Sequence, residues 1–344
     1  MIQRCHVWAV LLALPGIVMV SAAVPAVAHA QAPMMELQVN AFQGASNLPL
    51  WIAQREGMFA RRGIAVTMSN PNGSLDQFKG LVESRYPVII TAFDNVVAYH
   101  SGQGPAEIGP IPDLVAVMGI DSGLLTLVGS PGINRVADLK GRTLAVDALS
   151  TGFSFALRDI LLKARLDPAA VSFIAVGNSE GRWKAMQDGR AQAALLTLPA
   201  DLDAVDHGSK ALTTVAASFG HYLGNVVAVR QGWATAHSAE LQAFLRGMSD
   251  AVAWLYAGTN KVRAIEILQQ EMPALDGRNL EGVYAALVNS RQGLIRNGAL
   301  DAAGARTVLS LRAKYSGAAQ ELQDPGSYGD TRYLGAEAPS ALRR

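Results

Sequence analysis

Cysteine is nearly absent from this 344-residue sequence. The single residue, Cys5, precedes an apolar stretch near the amino terminus, and no cysteine follows that stretch. This excludes disulfide bridges, thiolate chemistry and cysteine-ligated zinc from the rest of the chain. A lipid-anchored cysteine would follow the apolar stretch at a cleavage point, so we expect no lipid anchor at Cys5.

An excess of charge of either sign is also lacking. The sequence has 29 Lys and Arg against 28 Asp and Glu, a formal net charge of +1. Nucleic-acid-binding surfaces need a basic excess to neutralise phosphates, so we expect no nucleic-acid partner. The histidines are scattered and form no HExxH motif, and no phosphate-binding loop or dinucleotide fingerprint occurs. We therefore expect no catalytic residue, no metal and no cofactor.

The first thirty residues have the pattern of an export signal. Arg4 supplies a positive charge, an apolar stretch covers residues 7–20, and Ala28-His29-Ala30 is a small-x-small sequence. A signal peptidase accepts such a sequence, so we predict cleavage after Ala30 and a periplasmic location. The alternative is a membrane anchor, because weak hydrophobicity continues to Val27. Pro15 interrupts the apolar stretch, however, and a span usually needs about 20 apolar residues.

Strands and helices alternate along most of the remaining chain. The predicted strands are 36–41, 64–68, 88–91, 114–119, 124–129, 143–147, 172–176, 193–197, 212–216 and 225–230. The predicted helices are 49–62, 75–84, a helix capped by Asp94 or Asn95 and ending near 102, 153–164, 182–188, 199–207, 238–256, 260–270, 279–289 and 301–315. This alternation predicts an α/β fold with mostly parallel sheets covered by helices. The length predicts two lobes.

Several segments resemble one protein family. Residues 48–59 read LPLWIAQREGMF and lead to GIAV at 63–66; residues 138–146 read DLKGRTLAV, and 185–194 read AMQDGRAQAA. Their order and spacing over most of residues 36–310 resemble SsuA/TauA-type solute-binding proteins of ABC transporters, the nitrate, sulfonate, taurine and thiamine-pyrimidine binders. The sequence departs from that pattern at Arg165, where glycine is common.

The resemblance implies a type II periplasmic-binding-protein fold. Lobe one would comprise 34–122 and 224–330, lobe two 123–223, and residues 331–344 an irregular tail along the surface. A small ligand would be held in the cleft by hinge closure, and an ABC permease of the inner membrane would be the partner of a monomer. The alternatives are a ligand-modifying enzyme of the thiamine-pyrimidine or futalosine-pathway type and a ligand-sensing periplasmic module.

The turns between strands and helices are the candidate binding positions. In open α/β sheets, ligands bind beyond the carboxyl ends of strands, where helix N-termini offer free N–H groups. Asp94 is interpreted as a ligand acceptor or an N-cap, and Arg182 as an anion clamp or a solvated first-turn residue. The predicted ligand-binding residues are Phe42, Gln43, Asn47, Asn72, Thr91, Asp94, Asn95, Asp121, Asp147, Ser150, Thr151, Gly152, Phe153, Arg182 and Thr197.

The strongest of these turns covers residues 147–153, where the resembled family places contacts from lobe two. Ser150 and Thr151 offer hydroxyls and Gly152 permits close approach, although Ser and Thr are also ordinary helix caps. Asp94, Asp121 and Asp147 all lie near strand ends. Such carboxylates favour a ligand with hydrogen-bond donors, such as an amine, a ring N–H or hydroxyls, over a simple inorganic anion or sulfonate.

Overall fold

The computed structural model describes residues 34–105, 107–318 and 322–335. The predicted export signal and the end of the predicted tail lie outside the described residues. Strands and helices alternate as the sequence predicts. The strands are β1 Met35–Ala41, β2 Ile64–Ser69, β3 Val88–Ala92, β4 Leu114–Gly119, β5 Leu125–Gly129, β6 Thr143–Val146, β7 Ser172–Ala175, β8 Ala193–Thr197, β9 Lys210–Thr214 and β10 Asn225–Arg230.

Helices cover the sheets and make up most of the last third of the described chain. They are α1 Leu48–Arg55, α2 Ser74–Val82, α3 Phe93–His100, α4 Gly152–Lys163, α5 Ser179–Gln187, α6 Ala200–Asp206, α7 Val215–Phe219, α8 Gln231–Ala236, α9 Ser238–Tyr256, α10 Lys261–Glu271, α11 Gly277–Leu287 and α12 Ala302–Tyr315. No helix in the described ranges is long and apolar enough to cross a membrane.

The strands form two five-stranded sheets, with the orders β2-β1-β3-β10-β4 and β7-β6-β8-β5-β9. In each sheet the first three strands are parallel, and the fourth is antiparallel to both of its neighbours. The predicted α/β fold with two lobes is confirmed, but half of the pairings are antiparallel. The reason is that β5 and β10 each follow a passage between the sheets. The chain enters each sheet at the edge where the parallel strands end, so the strand that follows must run in the opposite direction.

The two chain segments that pass between the sheets are joined by hydrogen bonds to Asp121, which is buried. Its carboxylate accepts hydrogen bonds from the backbone N–H of Gly123 at 2.9 Å and from Asn225 Nδ2 at 2.8 Å. Its backbone carbonyl accepts from Gly224 at 3.0 Å. Burial raises the pKa of Asp121. The hydrogen bonds of this side chain therefore hold the connection between the lobes, near the predicted boundaries at 122/123 and 223/224, which stay predictions.

Local chemistry explains where the observed elements differ from the predicted ones. Helix α1 ends at Arg55 rather than 62, because Gly57 at φ 67° takes the left-handed conformation that stops a helix. Strand β9 ends at Thr214, whose hydroxyl caps α7 by accepting from Ala217 N–H at 3.0 Å. Helix α3 begins at Phe93 after Ala92, so neither Asp94 nor Asn95 is its N-cap.

Helix α12 and the segment after it join the core of the protein. Helix α12 packs against α3 of the first lobe and α4 of the second. Residues 322–335 then lie along β4, where Asp330 N–H donates to the Ala116 carbonyl at 2.8 Å. Tyr328 and Tyr333 of this segment are buried. Residues 331–335, the described part of the predicted surface tail, therefore contribute Tyr333 to the interior, and Tyr328 comes from the segment before the tail.

Candidate ligand-binding cleft

A buried ion pair lies where the two lobes meet. The carboxylate of Asp94, in the first turn of α3, accepts from Arg312 Nε at 2.7 Å and from Arg312 Nη2 at 2.6 Å. Each residue is only 2% exposed. This two-point geometry is the strongest arrangement of a guanidinium with a carboxylate. A buried charge without its partner would be costly, so the two side chains fix each other in place.

The same carboxylate reaches the second lobe. Gly152 N–H, at the start of α4, donates to Asp94 Oδ2 at 2.7 Å, and Arg312 Nη2 donates to the Ser150 carbonyl at 3.3 Å. A side chain at Gly152 would place its Cβ 2.5 Å from Asp94 Cβ and Cγ, so only glycine permits this approach. Asp94 thus takes the place of an anion at the N-terminus of α4.

A second contact closes the gap between the lobes. Ala45 N–H, in the turn after β1, donates to the Leu198 carbonyl, in the turn after β8, at 3.4 Å. The Leu198 side chain is buried in the cluster that forms the interior of the first lobe. The turns after β1, β3, β6 and β8 therefore meet across one gap, which is where parallel α/β sheets bind ligands.

The turn that precedes α4 is held by its own side chains. Thr151 Oγ1 donates to Asp147 Oδ1 at 2.7 Å and accepts from Ser154 N–H at 3.4 Å, which makes Thr151 the N-cap. The gap between Asp147, Phe153 and Arg182 is too narrow for a water molecule. Ligand access to this cluster would therefore require the turn to move.

Arg182 is buried, which corrects the prediction of a solvated first-turn residue. Helix α5 begins at Ser179, three residues earlier than predicted, and places Arg182 on its inner face. Its Nε donates to the Leu195 carbonyl at 2.8 Å and its Nη1 to the Gly177 carbonyl at 2.9 Å. Burial lowers the pKa of Arg182 and raises that of Asp147, which the Arg182 charge lowers in part.

The other predicted site residues lie in turns around the gap or apart from it. Asn47 Nδ2 donates to the Phe42 carbonyl at 2.8 Å, and Asn95 Nδ2 donates to Thr91 Oγ1 at 3.0 Å. Thr197 N–H donates to a hydroxyl of the α5 first turn at 2.8 Å. Three of the predicted residues, Gln43, Asn72 and Ser150, are exposed. Ligand contact by any of these residues stays a prediction.

Two features of the cleft are missing from the predicted site. The first is Arg312, which lies 218 positions from Asp94 in the sequence. The second is a cavity of about 140 Å³ beside the Leu198 turn. Its walls come from the passage between the lobes, from β5, α6, α7 and β9 of the second lobe, and from α11 and the turn after it. The lining residues are Gly123, Leu124, Leu125, Thr126, Leu198, Asp201, Thr214, Ala216, Ala286, Asn289 and Gln292.

Asp201 is the one charged residue among these described lining residues. It is 6% exposed; its Oδ2 accepts from Thr126 Oγ1 at 2.7 Å and its Oδ1 from Leu202 N–H at 2.9 Å. Burial raises the pKa of Asp201 to about 6 from the ordinary 3.8, against those hydrogen bonds. Within the described ranges, no cluster of His, Cys, Asp and Glu residues could hold a metal ion.

Comparisons with known proteins agree with this architecture. A family model with the description NMT1/THI5 like matches residues 45–260, well over half of the chain. No curated protein sequence matches. A solved structure of the ligand-binding component of an ABC-type import system from Staphylococcus aureus, with zinc bound, is 10% identical, with a TM-score of 0.70 over 88% of this chain and 98% of that one.

Two further solved structures share the fold. The periplasmic aliphatic sulphonate-binding protein SsuA from Escherichia coli is 16% identical, with a TM-score of 0.67 over 85% of this chain and 91% of that one. The desulfurization enzyme DszB is 12% identical, with a TM-score of 0.60 over 87% of this chain and 97% of that one. At these identities the likeness shows the fold, which carries both binding and catalysis.

The ion pair between Asp94 and Arg312 generates a prediction about stability. We expect Arg312→Leu to lower the free energy of unfolding by about 3–5 kcal/mol, because it leaves a buried carboxylate without its cation. The variant with both Asp94→Leu and Arg312→Leu should lose less than the sum of the two single losses. Urea denaturation measures all three. As a control, Arg55→Leu breaks an exposed pair with Glu271 and should cost about 1 kcal/mol or less. Equal losses at Arg55 and Arg312 would contradict the prediction.

The raised pKa of Asp201 generates a prediction about pH. The folded protein holds this proton up to about pH 6, whereas the unfolded chain releases it near 3.8, so stability falls as the pH rises between these values. Asp201→Asn should therefore raise the free energy of unfolding at pH 7 by up to about 3 kcal/mol and have little effect near pH 4. Urea denaturation at both pH values checks this. Asp206→Asn, at an exposed position of the same helix, should change neither value. Destabilisation by Asp201→Asn at pH 7 would refute the prediction.

Proposed function

Since the chain belongs to the NMT1/THI5-like family, we propose that it binds a small solute between its two lobes and delivers the solute to an ABC-type importer. The predicted likeness to SsuA/TauA-type binding proteins is confirmed at the level of family and fold. The S. aureus structure with this fold is a component of such an import system.

The observation that carries the proposal is the cavity of about 140 Å³ between the lobes. Both lobes and the passage that joins them contribute to its walls. A solute held there contacts both lobes and the segment that joins them, which move relative to one another when the lobes separate. Binding free energy is thereby coupled to the angle between the lobes, which is the requirement for a hinge that reports occupancy.

The contacts at the gap permit such a hinge. Opening the lobes breaks the hydrogen bonds from Gly152 to Asp94, from Arg312 to the Ser150 carbonyl, and from Ala45 to Leu198. Water replaces these partners, so each contact costs only about 1 kcal/mol, or somewhat more where a charge takes part. The ion pair between Asp94 and Arg312 joins α3 to α12 and stays together. The contacts of α12 with α4, where Lys314 Nζ and Tyr315 Oη donate to Asp159 Oδ1 at 2.7 and 2.9 Å, separate with the lobes. A solute of ordinary affinity supplies enough free energy to shift such an equilibrium.

Location and partner belong to the same proposal. The export pattern of the first thirty residues would place the mature protein in the periplasm, where a solute-binding protein meets its permease. We propose that it acts there as a monomer, with cleavage after Ala30.

Binding without chemistry is favoured over the enzymatic alternative, although DszB has the same fold. A general base must be free to reach a substrate proton. The carboxylates of Asp94 and Asp147 are engaged by Arg312, Gly152 and Thr151. Asp201 is open to the cavity, but the described lining holds no second ionisable group to act with it. A ligand-sensing module would capture its solute in the same way, but its closed form would be recognised by a sensor protein instead of a permease.

Mass spectrometry of the protein purified from its native host tests capture. We expect an intact mass that corresponds to a chain beginning at Gln31, and a small solute released on denaturation. The released solute, added back to the stripped protein, should raise Tm and make the particle more compact in X-ray solution scattering. Conversion of that solute into a product during incubation would favour the enzyme instead.

Gly152→Ala tests closure of the lobes. The added Cβ would lie 2.5 Å from Asp94, so the lobes could not close fully, and affinity for the released solute should fall about tenfold or more. Gly277→Ala is the matched control, because Gly277 also begins a helix but its Cβ would meet nothing within 4 Å. Isothermal titration gives Kd for each. Unchanged affinity in Gly152→Ala would mean that capture does not involve this contact.

A further inference from the structure

The carboxylates around the gap differ in what compensates their negative charge, which is a cation in some cases and hydrogen-bond donors in others. Asp94 is paired with Arg312, Asp121 accepts from the passage between the lobes, and Asp147 lies near Arg182 and accepts from Thr151. Among the described residues, no basic side chain lies within 4.0 Å of Asp201. Asp121 also lacks a cation in that part of the chain, but its carboxylate accepts three hydrogen bonds from Gly123 and Asn225. Asp201 accepts only two and lines the cavity, so it is the carboxylate of the gap that is open to a cation.

This carboxylate has room to accept further hydrogen bonds. Two carboxylate oxygens offer about four acceptor positions, and the described donors, Thr126 and Leu202, use two of them. Asp201 also lines the cavity. A buried carboxylate without a cation is costly, and the cost is removed when a cation enters beside it. Electrostatics therefore selects a positively charged group for this space.

The rest of the cavity wall is mostly apolar. Leu124, Leu125 and Leu198 contribute aliphatic surface, and Ala216 and Ala286 are small. Hydroxyl and amide groups of Thr126, Thr214, Asn289 and Gln292 supply the remaining polar surface. The volume of about 140 Å³ admits several water molecules or one short organic molecule. A compact ammonium ion with a few carbon atoms matches this combination of charge, size and wall.

We propose that this cavity is the recognition subsite for a small organic ammonium compound, with Asp201 as the counter-ion of its charged nitrogen. The proposal rests on the proposed function, because it names the class of solute that the cleft captures. Asp201 accepts hydrogen bonds from the ammonium group, and the leucine and alanine side chains cover the hydrocarbon part. The turn after α11 reaches the same solute from the first lobe, so occupancy of the subsite favours closure.

Isothermal titration of the full mature protein with butylammonium, butanol and butyrate tests the subsite. These probes have similar size and apolar surface and differ in charge. We expect butylammonium to bind about ten- to a hundredfold more tightly than either of the others, as a hydrogen-bonded charge pair in a buried site allows. Asp201→Asn should remove that preference. Asp206→Asn makes the same charge change on the exposed face of α6 and should retain it.

Ala286→Leu keeps the charge of Asp201 but fills the cavity, so it should abolish binding of butylammonium. A preference for butyrate, or equal loss in Asp201→Asn and Asp206→Asn, would overturn the inference. An anionic solute released from the native protein, with affinity unchanged in Asp201→Asn, would overturn the ammonium subsite and leave solute capture standing. A protein that retains no native solute and binds none of the three probes would overturn both.

Discussion

The carboxylate of Asp94 is the point on which the arrangement of the lobes depends. It receives two hydrogen bonds from Arg312 of α12 and one from Gly152 at the start of α4. Three elements distant in sequence thereby meet at one buried charge. The guanidinium compensates the charge permanently, whereas the N–H of Gly152 can be exchanged for water. One side chain therefore serves both as a fixed support of the first lobe and as a removable contact with the second.

This arrangement changes how the acidic residues near the strand ends are interpreted. Asp94, Asp121 and Asp147 suggest from the sequence a cleft that carries several negative charges. In the structure Asp94 is paired with Arg312, and Asp121 and Asp147 accept hydrogen bonds from neighbouring groups. Asp201, two residues after Pro199, lacks a cation among the described residues and lines the cavity. The predicted preference for a ligand with donors is kept as a proposal, but the residue that supports it is different. Local sequence shows that a carboxylate is present, and only the fold shows which carboxylates are already neutralised.

Much of the fold could be predicted because its signals are local. Strands β8 and β10 and helix α9 begin and end where their patterns predict, since continuous apolar runs and helical periodicity need no distant partner. Rules on strand ends predict that Asp94 and Gly152 lie beside the gap, but they do not predict the hydrogen bond between the two residues. Arg312 could not be paired in advance, because 218 residues separate it from Asp94. A signal was present: Arg312 lies on the buried face of α12 with Ala305 and Val308, which indicates a buried partner of opposite charge.

The cavity around Asp201 escaped prediction for a related reason, since four separate chain segments form its walls. The contribution of Asp201 to the free energy of binding can nevertheless be bounded from its pKa. Burial raises the pKa of Asp201 from 3.8 to about 6, so ionisation at neutral pH costs the folded protein about 3 kcal/mol. A cation bound beside the carboxylate can recover at most about that amount from this source, roughly a hundredfold in affinity. Further affinity must come from apolar surface and from closure of the lobes. A neutral solute of the same shape would lose the contribution from charge and keep those from apolar surface and closure. The charge of Asp201 therefore affects which solute is selected more than whether a solute binds.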